Sequence, residues 1–174
     1  ARTVGPRTLE FAKLLVAARL EVAIGLETIH PGAMAQLNKR LDLERFERAA
    51  GFLADHGIDL RVFVLVGAPH VPADETVEWA CRSAEFAVRL GAATVALIPV
   101  RGGNGEMERL AALGHFVPPT LTDLETALDR CLGLSPGVVT ADLWDIERIA
   151  RCAECHPPPL FTNQQVAVIG APEP

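Results

Sequence analysis

Two short apolar runs in this sequence each have a glycine at or near their end. Residues capable of chemistry follow each glycine closely. The first run, Val22–Thr28, closes with a carboxylate and a hydroxyl, and the second, Val62–Gly67, has His70 and Glu75 close behind it. Polar groups at the carboxyl ends of buried strands line the cleft in which α/β folds bind their ligands. We therefore expect the functional site of this protein at the ends of these two strands.

The first candidate pair is Glu27 and Thr28. A carboxylate at a strand end can accept hydrogen bonds from the two vicinal hydroxyls of a ribose, which predicts a nucleoside-binding role. In the alternative interpretation Thr28 caps the helix that follows and Glu27 is solvated. Lys39, in the run Leu37-Asn38-Lys39, could pair with a ligand carboxylate, although a lysine on a short helix is usually a solvated side chain.

Glycines mark the next two candidates. Gly67 would let a ligand approach the backbone, with Glu75 nearby, although a glutamate in the first turn of a helix also has a purely structural explanation in the helix dipole. The run Arg101–Gly105 exposes successive N–H groups that can cradle an anion, and the guanidinium of Arg101 adds a fixed fork. The run lacks the Gly-Lys-Ser/Thr ending of a phosphate loop, and the alternative is a plain flexible loop.

A third candidate lies near the carboxyl terminus. Cys152 and Cys155 are separated by two residues, which is the spacing of two cysteines that chelate one metal ion. Such a pair is half a site, and Cys131 and His156 are the residues that could complete it. A structural pair of buried thiols is the alternative.

Composition excludes several classes of function. The chain has 174 residues and a net charge of −6, so it fits one core-forming domain without a broad nucleic-acid or membrane footprint. No apolar run approaches the roughly 20 residues that span a bilayer, and no signal peptide is visible, which predicts a cytoplasmic protein. The four cysteines are too scattered for a disulfide framework.

The elements that must position these residues alternate along the chain. Apolar runs predict four strands, and amphipathic spacing predicts helices between them, which implies right-handed βαβ crossovers and a parallel sheet. The chain begins at Ala1 rather than at Met, and we expect a fragment. A fragment favours part of a barrel over an open doubly wound sheet. The four predicted strands cover 21–26, 60–66, 93–100 and 138–141.

An ordered set of segments carries a family resemblance. These segments are Glu21–Thr28, Leu37–Lys39, Gly57-Ile58, Arg61–Gly67, Glu75, Leu97–Val100, Met107–Leu110 and Phe116–Leu121. Taken together they resemble the later part of the radical S-adenosylmethionine (radical SAM) enzymes. The most similar group in pattern contains the Elongator catalytic subunit and the archaeosine-forming tRNA enzymes.

The resemblance implies a fold and a set of cofactor-binding residues. Residues 1–141 would form the later strands of a partial (β/α)6 TIM-like barrel, and residues 142–174 a C-terminal extension with the Cys-x2-Cys pair. Glu27 and Thr28 would contact S-adenosylmethionine, and Lys39 would pair with its methionine carboxylate. The strand ending at Gly67 would pack against the adenine. The backbone around Pro99 and Val100 would hydrogen-bond the adenine edge.

The resemblance also implies radical chemistry that this chain could not perform alone. The Cys-x3-Cys-x2-Cys loop that holds the 4Fe-4S cluster of the family is absent, so we expect an S-adenosylmethionine-binding half of an iron-sulfur enzyme, active only if the full-length protein supplies the cluster. The implied substrate is tRNA or another bulky molecule. Cys152 and Cys155 would hold zinc or an auxiliary cluster.

The alternative is a non-catalytic α/β module that binds a ligand or a partner. It predicts a closed core, whereas a fragment predicts self-association through the unpaired edge of the first strand.

Overall fold

The computed structural model describes residues 4–37, 42–134 and 137–150. Helices and strands alternate through most of this part of the chain. The strands are β1 (Glu21–Glu27), β2 (Asp59–Val66), β3 (Thr94–Pro99) and β4 (Val138–Ala141). The helices are α1 (Pro6–Lys13), α2 (Pro31–Gln36), α3 (Leu43–Asp55), α4 (Thr76–Arg89), α5 (Glu106–Ala112) and α6 (Leu121–Cys131). Short 3₁₀ turns cover Ala73–Glu75 and Ile146–Arg148.

The four strands form one parallel sheet in the order β1-β2-β3-β4. Parallel neighbours that follow one another in sequence need a crossover at each step, and crossovers of one hand place their helices on one face of the sheet. This is the arrangement of consecutive βα units in a TIM-like barrel. The fold is therefore α/β, built from parallel βα units as part of such a barrel, and the predicted fold class is confirmed.

The core lies between one face of the sheet and helices α3, α4 and α6. Alternate residues of β2 show the two faces clearly, because Val62 and Val64 are fully buried in the core whereas Phe63 and Leu65, on the opposite face, are only half-buried. Phe46 of α3 is also fully buried in this core. The structure therefore has two layers over the described residues, with the second face of the sheet left without a helix layer.

Side-chain caps fix where the main helices begin. Asp42 accepts a hydrogen bond from the backbone N–H of Arg45 at 2.7 Å at the start of α3. Thr120 and Asp123 form a reciprocal capping box at the start of α6, with Oγ1 of Thr120 accepting from the N–H of Asp123 at 3.1 Å. These caps satisfy N–H groups that a helix leaves unpaired at its first turn. They therefore hold α3 and α6 in fixed register against the sheet.

The predicted strands agree with the structure to within one or two residues at each end. Helix α1 ends at Lys13, and Val16 beyond it is fully exposed. No strand pairs with the outer edge of β1 within the described ranges, and self-association through this edge stays a prediction. The division of the chain after residue 141 also stays a prediction.

Candidate functional site

A polar residue lies at the end of each of the four strands or in the loop that follows it. The four residues share one edge of the sheet. Glu27 ends β1, Arg101 follows β3 by two residues, and Asp142 follows β4 directly. His70 lies in the loop after β2. Because parallel strands bring their carboxyl ends to one edge, the topology places these groups along one side of the molecule. We call this side the carboxyl edge.

Backbone strain is concentrated at the carboxyl edge. The described residues other than glycine with a positive φ are Glu27 at 69°, His70 at 66° and Asp145 at 51°. Each follows or ends a strand, and such conformations cost about 1–3 kcal/mol and cluster at functional sites. The strain at Glu27 coincides with a shift of register between β1 and β2 after Gly25. At the carboxyl edge the fold thus holds three residues in backbone conformations that residues other than glycine rarely adopt.

The turn after β1 is built around Thr28, which is almost completely buried. Its Oγ1 accepts a hydrogen bond from the N–H of His30 at 3.1 Å. The helix that follows is capped by His30, whose Nδ1 accepts from the N–H of Ala33 at 3.0 Å. Thr28 therefore shapes the turn and is not the helix cap, so that alternative was wrong. Contact of Glu27 and Thr28 with a cofactor stays a prediction.

The turn after β2 is packed against a proline. Gly67 has a φ of 76°, and a Cβ atom added to it would lie 2.6 Å from Cδ of Pro119. Pro99, at the end of β3, is buried, and the N–H of Val100 donates to the carbonyl of Val66 at 2.9 Å. The N–H of Val100 is thus engaged within the sheet. Cofactor contacts at Gly67, Pro99 and Val100 stay predictions.

His70 lies in the loop after β2 with one ring nitrogen unsatisfied. Its backbone N–H donates to the carbonyl of His115 at 2.8 Å, and the two imidazole centroids are 5.2 Å apart. Its Nδ1 is buried without a hydrogen-bond partner. Burial, then the nearby charges of His115 and Arg109, lower the pKa of His70 below its ordinary value, and Glu106 opposes the shift. The imidazole is therefore neutral near pH 7, as a proton acceptor requires.

Arg101 is the second side chain with an unsatisfied nitrogen. Its side chain is only 10% exposed. One terminal nitrogen, Nη1, donates to Oδ2 of Asp142 at 3.1 Å, and Nη2 donates to the backbone carbonyl of Asp142 at 3.3 Å. The third nitrogen, Nε, is buried without a partner. Asp142 therefore fixes the guanidinium, and the Nε–H group has no partner within the described residues.

The glycine-rich loop after β3 does cradle an anion, and the anion belongs to the chain itself. The carboxylate of Glu108 accepts a hydrogen bond from the N–H of Gly103. Backbone N–H groups of Glu108 itself, Gly103 and Gly105 lower the pKa of this carboxyl. A Cβ atom added to Gly102 would lie 2.5 Å from Oε1 of Glu108. The loop is thus closed by a carboxylate of the chain itself.

The remaining predicted site residues are Lys39, Cys152 and Cys155, and all three lie outside the described residues. Their cofactor and metal roles stay predictions. No group of three or more metal-ligating side chains is found in the part of the chain that the structure describes. In the same part no helix is long and apolar enough to cross a membrane.

Sequence reasoning missed two pairings that define the carboxyl edge. Arg101 and Asp142 are 41 residues apart, and the contact between His70 and His115 joins two loops. The one available signal was the position of Asp142 directly after the last strand, at the edge where the site was expected.

Comparison with known proteins gives no family for this chain. No protein-family model and no curated protein matches the chain significantly. One solved structure that the chain resembles is the HMG-CoA lyase from Brucella melitensis, at 18% identity and a TM-score of 0.45. The similarity covers 79% of this chain and 44% of that chain, so this chain spans less than half of that structure's length.

The identification of the chain as a radical SAM protein was wrong, and so was the iron-sulfur function built on it. No family model matches the chain, and this includes the models of radical SAM proteins. The physical reason is that the matching segments are short. Gly-Leu-Glu-Thr at a strand end and Pro-Pro before a helix are turn chemistry that any parallel βα fold can use. The implied S-adenosylmethionine, cluster and tRNA stay untested predictions.

Proposed function

We propose that the carboxyl edge binds a small molecule through a carbonyl or carboxylate oxygen, with Arg101 as the anchoring donor. The observation that carries the proposal is the pair of buried nitrogens without partners, Nε of Arg101 and Nδ1 of His70. More than 90% of buried polar groups in folded proteins have a hydrogen-bond partner, so each exception calls for an explanation. These two exceptions follow neighbouring strands, β2 and β3, at one edge of the sheet.

The charge at Arg101 favours a singly charged or neutral ligand over a phosphate. Asp142 already neutralises the guanidinium and contacts both terminal nitrogens. A phosphate dianion binds best at a site of net positive charge, whereas the Nε–H group of a neutralised guanidinium suits one oxygen on an sp² carbon. The charge balance at Arg101 thus favours this ligand class.

His70 is the group at this edge suited to exchange a proton with such a ligand. Its lowered pKa keeps the ring neutral at pH 7, and a neutral imidazole can accept or donate a proton through its free nitrogen. The strained backbone at His70 fixes the ring position despite its cost. Binding through Arg101 is the primary claim, and proton exchange at His70 depends on it.

Thermal unfolding in the presence of acetate, pyruvate or inorganic phosphate tests the proposal. A ligand that binds only the folded state at ten times its Kd stabilises it by about 1.4 kcal/mol, or roughly 3–6 °C for a chain of this size. We expect pyruvate or acetate to raise the Tm at matched ionic strength and phosphate not to. Arg101→Lys keeps the charge but removes Nε, and we expect it to abolish the shift.

Arg48→Lys is the matched control. Arg48 lies on α3, is exposed, and pairs with Glu44, so its replacement should leave the ligand-dependent shift intact. Equal shifts in the wild type and in Arg101→Lys would show that any binding lies elsewhere. A shift caused by phosphate alone would contradict the ligand class.

A further inference from the structure

Two buried thiols lie on helices that pack against each other, on the opposite side of the sheet from its open face. Cys81 is on α4 and Cys131 is the last residue of α6, and both are free cysteines buried in the core. Helices α4 and α6 pack directly against each other. This pair is separate from the carboxyl edge.

The contact between the helices brings the two sulfur atoms together. Sγ of Cys81 donates a weak hydrogen bond to the carbonyl oxygen of Ala127 at 3.8 Å. In an α-helix the carbonyl of residue 127 points toward the amide of residue 131, one turn further on. Cys81 is thus directed at the turn that carries Cys131.

We propose that Cys81 and Cys131 form a redox-active dithiol that a peroxide oxidises to a disulfide joining α4 to α6. The Cys81 thiolate attacks one peroxide oxygen, the O–O bond breaks, and a sulfenic acid and water result. The Cys131 thiol then attacks the sulfenic sulfur, the S–S bond forms and a second water leaves. Two thiols and one hydrogen peroxide therefore give one disulfide and two waters, with the sulfurs losing two electrons to the peroxide.

In the proposed scheme Cys81 attacks the peroxide, and Cys131, the last residue of α6, resolves the sulfenic acid. Cys131 ends its helix, so fraying of the last turn of α6 provides a route for peroxide to reach the pair.

Peptide mapping of the whole chain identifies the bond without a variant. Trypsin places Cys81 in the peptide 62–82, Cys131 in 131–148, and Cys152 with Cys155 in 152–174. After treatment of the folded chain with equimolar hydrogen peroxide, we expect a cross-linked product of 62–82 and 131–148, two hydrogen atoms lighter than the sum. Dithiothreitol should separate the two peptides again.

Two variants test the assigned roles. In Cys131→Ser the reaction should stop at a Cys81 sulfenic acid that dimedone traps, whereas in Cys81→Ser neither cross-link nor adduct should form at Cys131. Unfolding in urea before oxidation should spread the pairing to the 152–174 peptide. Cys81 and Cys131 remaining reduced in the folded chain, or Cys81 passing to sulfinic acid without a cross-link, would overturn the proposal.

Discussion

Replacement of Gly67 by alanine should destabilise the fold more than the same change at any exposed turn glycine. The residue has a φ of 76°, and the added Cβ would lie 2.6 Å from Cδ and 2.9 Å from Cγ of Pro119. The left-handed backbone costs an alanine about 1–2 kcal/mol. Overpacking against a fixed ring adds about 1–3 kcal/mol, because proline cannot rotate away. We expect a total loss of about 2–5 kcal/mol.

Gly57→Ala supplies the matched control. Gly57 also has a left-handed backbone, with φ of 63°, but a Cβ there would meet no atom within 4 Å. The control should therefore lose only the unfolding free energy that the left-handed backbone costs an alanine, about 1–2 kcal/mol. The difference between the two variants isolates the contact between the end of β2 and the loop that carries Pro119.

Urea unfolding followed by circular dichroism measures both free energies of unfolding. The comparison holds if the m-values of the two variants equal that of the wild type, since the same surface is then exposed on unfolding. A Gly67→Ala variant as stable as Gly57→Ala would refute the reasoning. It would mean that Pro119 does not pack on the strand end and that this part of the carboxyl edge is open.

Three further substitutions test the core, a helix cap and the histidine. Phe46→Ala should cost about 3–5 kcal/mol of unfolding free energy because Phe46 is fully buried, whereas Phe11→Ala, at a side chain that is 54% exposed, should stay within about 0.5 kcal/mol. Thr120→Ala removes the capping box with Asp123, and urea unfolding should show a loss of about 1 kcal/mol. The pKa of His70 is lowered, so the unfolded chain binds more protons and stability should fall as pH decreases through 6.5. His70→Asn, which tolerates the left-handed backbone, should make that decrease shallower, and an unchanged slope would show that His70 is not responsible.

The sheet was predictable from the sequence because its strands are covered on one face by helices and carry long apolar runs. In β2 the three valines Val62, Val64 and Val66 are all fully buried, and such an apolar run predicts a buried strand. The direction of the strands followed from the alternation with helices. The same reasoning predicts that the functional residues lie at the carboxyl edge, and this stays a prediction.

The pairing of side chains at that edge was not predictable, because it depends on tertiary contacts. Nothing local in Arg101–Gly105 shows that Asp142 holds the guanidinium or that Glu108 fills the glycine loop. The family resemblance failed for the opposite reason. Its segments encode local turns, such as the bulged end of β1 at Glu27, and local turns recur in unrelated βα proteins.

The most direct test of ligand binding at the carboxyl edge is the ¹H–¹⁵N resonance of Arg101 Nε–H, assigned by its loss in Arg101→Lys. If an oxygen of the ligand accepts this hydrogen bond, titration with pyruvate should move the resonance in a saturable way. The Nε–H resonance of the exposed Arg48 on α3 should stay in place. A resonance of Arg101 that does not move at saturating pyruvate or acetate would contradict the account, because the buried donor would then have no role in binding.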